Sequence, residues 1–522
     1  MINPNERMEW MKTLCRGEGR VKVETVQELA EFMEDVNRIV QCSAALYVRN
    51  KTLEAHSDGV ELRIQGICSF SVIYRSNQRS GEGRLCGGEF SSEFEYCGSF
   101  SSEEEFDPEC LMDVTELIAE GALCRPLGPR KLQLRCDVLV GTCIKGNALS
   151  SCGVDASREG MQRKTVQCTS SVLLGKAAKE IAVTHEFTLP EEYPPMDRLL
   201  DWDGRVFCES CERSAEGIAF RSTALISCCY LPESEQDPSP LSFVLPLEAS
   251  QRLECDGAGE GEAFVQCYPS ELNLEIKEDE SGDRRRLRIG FSFLAEGGIY
   301  ENRVAECVSD CYSTCERMEI SAVERMTEEV KNWGYCHAPV EFGVSLKEPD
   351  LVRVEMIRCR VSLENCVAEA QGLRAKAKVK TGLLGIKGDG SVLPVKEEAE
   401  LSLLFRPENV SELMKGKLSL HLEMSAEIKE MDCSVSGDQL LFRGTACAKV
   451  LLLDQKREHC VVGMESLGKT EREKDGSVIL YYPERDEEAW EIGKRFGIPV
   501  DRVQGEMERE GGKFPSVLML LR

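Results

Sequence analysis

Val60-Glu61-Leu62-Arg63-Ile64-Gln65-Gly66-Ile67-Cys68-Ser69-Phe70-Ser71-Val72-Ile73-Tyr74 places Val60, Leu62, Ile64, Gly66, Cys68, Phe70, Val72 and Tyr74 at every second position. A period of two puts such residues on one face of an extended strand, with that face on a core. Ile218, Phe220, Ala224, Ile226, Cys228 and Tyr230 share one face in the same way. A third run, Leu373, Ala375, Ala377 and Val379, alternates with Arg374, Lys376 and Lys378. The chain therefore reads as mainly β.

Outward from these runs the surroundings also repeat. Each follows an arginine motif: Asp35-Val36-Asn37-Arg38-Ile39-Val40, Pro195-Met196-Asp197-Arg198-Leu199-Leu200 and Asp350-Leu351-Val352-Arg353-Val354. Arg38, Arg198 and Arg353 lie 160 and 155 residues apart. A second landmark follows each run: Arg130-Lys131-Leu132-Gln133-Leu134-Arg135-Cys136, Arg285-Arg286-Leu287-Arg288-Ile289 and, more loosely, Gln439-Leu440-Leu441-Phe442-Arg443. Self-similarity in constant order marks tandem units. Residues 1–165, 166–325 and 326–465 are expected to form three β-rich domains, the third divergent, with further strands at 241–247 and 399–405. Helices are expected at 26–37, 111–120 and 323–333. A charged stretch within 466–477 reads as a linker.

The last segment has a different rhythm. Ile479 and Tyr481 begin a short strand, and Trp490, Ile492 and Phe496 give the following segment a helical apolar face. Gly497 closes that helix, Val500-Asp501 opens a second, Gly511-Gly512 breaks it, and residues 514–521, with Leu518, supply a closing strand. Residues 478–522 are thus expected to form a small βααβ module.

The totals bound the function. A chain of 522 residues is too long for one core and predicts three to five domains. With 64 Lys and Arg against 91 Asp and Glu, its net charge is −27, which opposes binding to nucleic acid or an anionic polymer. The first residues lack a basic-then-apolar secretion signal, and no run reaches a membrane span, so a cytoplasmic protein is expected. Its 26 cysteines are then expected as reduced thiols, and Cys68, Cys136 and Cys447 stand within apolar alternation as small hydrophobes.

The repeated layout resembles the SPOCS domain family of spore-envelope proteins from anaerobic spore-forming bacteria. The resemblance rests on Leu189-Pro190-Glu191-Glu192-Tyr193-Pro194-Pro195-Met196-Asp197-Arg198-Leu199, on the strands ending in Tyr74 and Tyr230, and on Val308-Ser309-Asp310-Cys311-Tyr312-Ser313. It covers roughly residues 20–460; the third unit lacks the terminal tyrosine and the Asp-Cys-Tyr-Ser element. The terminal segment resembles a LysM module, whose Gly-Asp-Thr-Leu-Trp motif falls on Asp486, Glu487, Glu488, Ala489 and Trp490. Only Trp490 is kept, and two carboxylates are added where backbone must approach N-acetyl groups.

These resemblances imply a non-enzymatic scaffold of spore-coat assembly, made in the mother cell and recruited to the forespore surface. The module would dock a coat-basement ATPase or another coat protein through Asp486, Glu487, Glu488 and Trp490. The alternative they imply is a protein holding N-acetylglucosamine chains of peptidoglycan.

The remaining chemistry is sparse. His56, His185, His337, His421 and His459 are scattered among separate landmarks, so no catalytic His arrangement is suggested. Glu103-Glu104-Glu105 carries little information in so acidic a chain. Cys208-x-x-Cys211 has zinc-ligand or redox spacing but no second pair at the usual separation. Cys307, Cys311 and Cys315 recur every fourth residue, as structural thiols would on one face of a strand or helical turn. No metal or cofactor is expected, and late oxidative cross-linking between neighbouring molecules is permitted but not required.

Overall fold

Among the described residues of the computed structural model, eighteen long strands in three groups of six make up the body, and two short ones belong to the terminal module. The structure describes residues 7–56, 59–78, 81–102, 105–151, 159–234, 239–255, 261–348, 350–369, 371–406, 420–469, 478–484, 487–508 and 517–521. The first six strands are β1 (Arg7–Glu28), β2 (Val36–His56), β3 (Gly59–Gln78), β4 (Gly81–Ser101), β5 (Phe106–Gly128) and β6 (Lys131–Ser151). The next six are β7 (Met161–Thr188), β8 (Met196–Ser214), β9 (Gly217–Pro232), β10 (Leu241–Glu254), β11 (Glu262–Lys277) and β12 (Arg286–Ser313). The third six are β13 (Glu316–Ser345), β14 (Leu351–Glu369), β15 (Gly372–Lys387), β16 (Val392–Phe405), β17 (Leu420–Ser436) and β18 (Gln439–Lys469).

Each group of six makes the same two antiparallel sheets. The second, third and fourth strands pair in order, as β2-β3-β4, β8-β9-β10 and β14-β15-β16. The first, sixth and fifth pair as β1-β6-β5, β7-β12-β11 and β13-β18-β17. Each alternating run read from the sequence is the central strand of its first sheet. The second landmark opens the central strand of the other sheet.

The two central strands face each other across the core. In the first unit Val60, Leu62, Ile64, Cys68, Phe70, Val72 and Tyr74 meet Leu132, Leu134, Cys136, Val138 and Val140. In the second, Ile218, Phe220, Ala224, Ile226, Cys228 and Tyr230 meet Leu287, Ile289, Phe291, Phe293 and Ala295. The third sets Leu373, Ala375, Ala377 and Val379 against Ala446, Ala448 and Val450. A fully buried Leu, Ile or Phe stabilises by about 1.5–3 kcal/mol, so the alanine-rich third core gains least per position.

Irregularities recur with the same spacing as the motifs. Strand β2 carries bulges at Val36/Arg38, Ile39/Gln41 and Val48/Asn50. Strand β8 carries them at Met196/Arg198, Leu199/Asp201 and Cys208/Ser210, each 160 residues further on. A bulge offsets two residues against one and re-aims the side chains beyond it. The turn before each of these strands is pinned by the landmark arginine. Arg130 donates to the carbonyls of Leu29, Ala30 and Met33 and to Asp35, and Arg285 donates to those of Pro190 and Tyr193. The strand-ending tyrosines do similar work: Tyr74 Oη donates to Glu34 O at 3.1 Å and Tyr230 Oη to Pro194 O at 3.3 Å.

The three expected helices are not helices. Residues 26–28 finish β1, 29–35 form a turn-rich connection, and 36–37 open β2. Residues 111–120 lie in β5, where Leu111 enters the first core and adjacent Met112 enters another interior, so burial on both faces hides the alternation. Residues 323–333 lie in β13. A bulge between Val330 and Asn332 brings Val330 and Trp333, three apart like helix neighbours, to one buried face.

Strand β19 (Val478–Tyr481), helix α1 (Ala489–Phe496), helix α2 (Val500–Glu508) and strand β20 (Leu518–Leu521) follow, with β19 antiparallel to β20. Gly497 ends α1 in the left-handed region, at φ 63°, as a C-terminal glycine does without steric cost. Ile492, Ile498, Val503, Leu518 and Leu520 form the module's small core. Gly511, Gly512, Phe514 and most of the expected linker lie outside the described residues. Among the described residues no helix is long and apolar enough to cross a membrane.

Candidate functional site

Trp490 points away from the module's own core. Its indole lies 9 % exposed against the last turn of β12, edge-on to the Tyr312 ring with centroids 5.1 Å apart. Trp490 Nε1 donates to Asp310 Oδ2 at 2.8 Å, and Lys494 Nζ, one turn along α1, donates to both Asp310 oxygens at 2.6 and 2.7 Å. Tyr312 Oη donates to Ile498 O at 2.7 Å, and the Val500 amide donates to Gln162 Oε1 at 3.1 Å. Burial opposes ionisation of Asp310, but hydrogen bonds from Lys494 and Trp490 outweigh it and hold the carboxyl below its ordinary value. Burial, Asp310 and Asp501 push the Tyr312 phenol up to about 12.

The other expected site residues separate. Glu488 is exposed but pairs with Lys164 of β7 at 2.6 Å. Glu487, expected from the LysM-like resemblance to take part in docking, turns inward. Its carboxylate accepts from Tyr481 Oη at 2.8 and 2.9 Å and from the Glu484 amide at 3.2 Å, and it pairs with Arg495 at 3.0 Å. Asp486 lies outside the described residues. The structure thus joins Glu488 and Trp490 to the body and leaves Glu487 inside the module.

Asp310, Tyr312 and Lys164 are not among the site residues expected from sequence. Asp310 and Tyr312 belong to the Asp-Cys-Tyr-Ser element, but nothing local in a strand signals a partner 180 residues downstream. An open cleft of about 500 Å³ remains at this junction, lined by Lys164, Ser309, Asp310, Trp490, Lys494 and Arg495 among others.

Elsewhere the module presents a different surface. Val478 and Leu480 of β19 and Tyr482 just after it alternate outward, and Met519 stands opposite Leu480 on β20. They are 51, 62, 69 and 52 % exposed, while Ile479, Tyr481, Leu518 and Leu520 face the core. Large apolar side chains gathered on one exposed face mark an interaction surface more than scattered ones do.

The three units meet through buried polar groups. Asn147 of β6 makes two hydrogen bonds to the backbone of Leu173 in β7, at 2.8 and 2.9 Å. Asn302 of β12 donates to the carbonyl of Val330 in β13 at 3.1 Å. Leu173 and Val330 are both bulge residues of the first strand of their unit, so the same amide contact is used twice. Between the first unit and the third, Lys145 lies 3.4 Å from Glu328, with both side chains buried.

Charged junctions reinforce these contacts. Lys51 pairs with Asp113 of its own unit at 2.8 Å and with Glu296 of the second unit. Arg358 of the third unit spans Asp201 at 3.0 Å and Asp203 at 2.6 Å, and Ser43 of the first donates to Asp201 at 3.1 Å. Burial lifts Asp201 above its usual range, whereas Arg358 and Arg205 overcome burial at Asp203 and hold it down. Met11, Met112, Leu173, Phe264, Tyr300, Val330, Trp333, Leu451 and Leu453, from all three units, share one apolar interior beside them.

The cysteines are spread through these cores, and none of those described is in a disulfide. The bulge at Cys208/Ser210 turns Cys208 and Cys211 to the same side of β8, where the Cys208 thiol donates to Ser210 O at 3.5 Å and the Cys211 thiol to Ala263 O at 3.3 Å. Among the described residues no group of three or more His, Cys, Asp or Glu is arranged to hold a metal ion. No protein-family model matches the chain, and no curated protein or solved structure matches it.

Proposed function

We propose that the chain is a non-enzymatic scaffold of spore-envelope assembly, in which three like β units form a body and the terminal module recruits a protein of the coat basement. The cellular setting comes from the SPOCS-like and LysM-like motifs of the sequence. The observation that carries protein recognition is the outward strip of Val478, Leu480, Tyr482 and Met519, set on the face of the module away from its core. Such a strip suits the apolar centre of a protein interface. The docking surface therefore moves from the acidic turn to the outer face of β19 and β20. The open flanks of that two-stranded sheet offer backbone groups for strand addition as well. Glycan binding through Trp490 has less support, because the indole is packed edge-on against Tyr312 and hydrogen-bonded to Asp310.

A fluorescent fusion imaged through sporulation tests this reading, with a ring around the forespore as the expected result. Leu480→Asp combined with Tyr482→Ser should leave the fold intact and disperse the ring. Uniform fluorescence of the unaltered chain, or retention of the isolated protein on insoluble peptidoglycan without loss in the double variant, would overturn it.

A further inference from the structure

One group of thiols bridges two units. Cys168 on β7 stands opposite Ala305, and Cys307 on β12 stands opposite Val166, so both point from the same face of the second unit's sheet. Cys460 on β18 of the third unit packs against them, and the three residues form one cluster with exposures of 1, 1 and 2 %. The Cys460 thiol is within hydrogen-bond reach of both others. Directly beside them Val308 and Cys311 pack on Val461, which fixes the two sheets against each other along this seam. Other neighbouring thiols, such as Cys68 with Cys136 and Cys208 with Cys211, lie within one unit.

We propose that Cys460, Cys168 and Cys307 form a peroxide-responsive thiol relay that covalently joins the second unit to the third. In the first step the sulfur of Cys460 attacks one oxygen of a hydroperoxide. The O–O bond breaks, and the other oxygen leaves with the thiol proton as water, or as an alcohol from an alkyl hydroperoxide. Cys460 is then a sulfenic acid. In the second step the sulfur of Cys168 or Cys307 attacks the Cys460 sulfur. The S–O bond breaks, the hydroxyl leaves with the second thiol proton as water, and a disulfide forms. Two thiols lose two electrons, and one peroxide is reduced.

The surroundings favour Cys460 as the attacking sulfur. Hydrogen bonds from Cys168 and Cys307, with the charges of Arg325 and His459 adding to them, hold its thiol below the ordinary value against the effect of burial. Burial excludes bulky disulfide oxidants, whereas hydrogen peroxide is small enough to enter when the seam opens briefly. The third thiol stays reduced and can attack the new bond, so the linkage moves between Cys168 and Cys307 by exchange.

The test uses the full chain, reduced and then treated with a few equivalents of hydrogen peroxide, alkylated, and mapped by mass spectrometry without reduction. Cys460 is expected joined to Cys168 or Cys307 in most molecules, reversibly with dithiothreitol, under conditions that leave Cys228 alkylatable after denaturation. Cys168→Ser and Cys307→Ser should each shift the linkage to the remaining thiol, and the double variant should lose it. Recovery of Cys460 in the unaltered chain as free thiol or sulfinic acid, with no cross-link to either partner, overturns the proposal. That reading needs no variant to fold.

Discussion

Trp490 and Asp310, 180 residues apart in the chain, are joined by a 2.8 Å hydrogen bond from the indole nitrogen to the carboxylate. Around this bond Lys494, Tyr312, Gln162 and Lys164 complete a polar latch between the terminal module and the second β unit. The module's own core closes without Trp490. The residue that looks in sequence like the centre of a small domain is therefore the hinge pin of its attachment.

Asp310→Ala should release the module without unfolding it. Hydrogen bonds to a charged group contribute about 1.5–3 kcal/mol each, and this change also leaves the Lys494 ammonium unpaired. Trp490→Phe, which keeps a ring but loses the donor, should weaken the latch less. Hydrogen exchange would show faster exchange at the Val500 amide and around Tyr312 with the body unchanged. Loss of protection throughout β19 and β20 would instead make Trp490 a core residue.

A glycine provides a steric version of the same test. A Cβ built on Gly493 would lie 2.4 Å from Tyr312 Oη and 2.9 Å from the Ile498 carbonyl. Gly493→Ala should strengthen α1 as an isolated helix by up to about 1 kcal/mol and yet raise the rate of proteolysis between body and module. A variant as protease-resistant as the parent would show that the junction can absorb the methyl group.

Acid should open the latch through Asp310. Its folded value lies below the ordinary 3.8, so the unfolded or undocked carboxyl binds a proton first. The contribution is fully present above the ordinary aspartate range and is lost as pH falls through the depressed folded value. Hydrogen exchange near Tyr312 should therefore rise below about pH 4. Asp310→Asn should remove that added pH dependence.

Much of the body was legible in sequence, and the reason is periodicity. Val60 to Tyr74 lines one core because a strand repeats every two residues, and the same holds for Ile218 to Tyr230 and Leu373 to Val379. The module's two helices and paired strands were legible from Gly497 and from the spacing of Trp490, Ile492 and Phe496. Bulges and doubly buried strands defeated the same logic at Val330 with Trp333 and at Leu111 with Met112. At Glu487 the reading fails for another reason. Composition gives Glu487 to solvent, but Tyr481 and Arg495, six and eight residues away, supply partners that draw it in. Long-range pairs such as Trp490 with Asp310 leave no local pattern.

Breaking the charged junction between units should be costly on one side only. Arg358→Met leaves Asp201 and Asp203 buried without their shared cation, and removing one member of a buried pair costs about 3–5 kcal/mol. Arg358→Met with Asp201→Asn and Asp203→Asn should recover a large part of that loss. Urea unfolding of the parent and the two variants measures it. Equal destabilisation in the single and triple variants would mean that the arginine acts by packing, not by charge.

Lys449 makes the opposite case, a half-buried cation that weakens the fold at neutral pH. It donates to Gln266 Oε1, but burial and the charge of Lys51 pull its ammonium down to about 8 from 10.5, against the opposing pull of Asp113, Cys267 and Glu427. Below about pH 8 both folded and unfolded chains carry the proton, and the full cost of burying the charge is present. Between that value and 10.5 the unfolded chain binds more protons than the folded one, so this group's contribution to stability rises with pH. Buried thiols act in the other direction: burial pushes Cys336 and Cys447 up to about 12, and they ionise first in the unfolded chain above about pH 9. Lys449→Met keeps the volume, and Gln266 Oε1 retains the Tyr268 hydroxyl at 3.1 Å as a donor. The variant should equal or exceed the parent in stability, by at most about 3 kcal/mol at pH 7. Its advantage should shrink as pH rises from 8 to 10.5, which thermal melts across that interval would record. A constant difference across the same interval would show that Lys449 is not the group whose proton is lost.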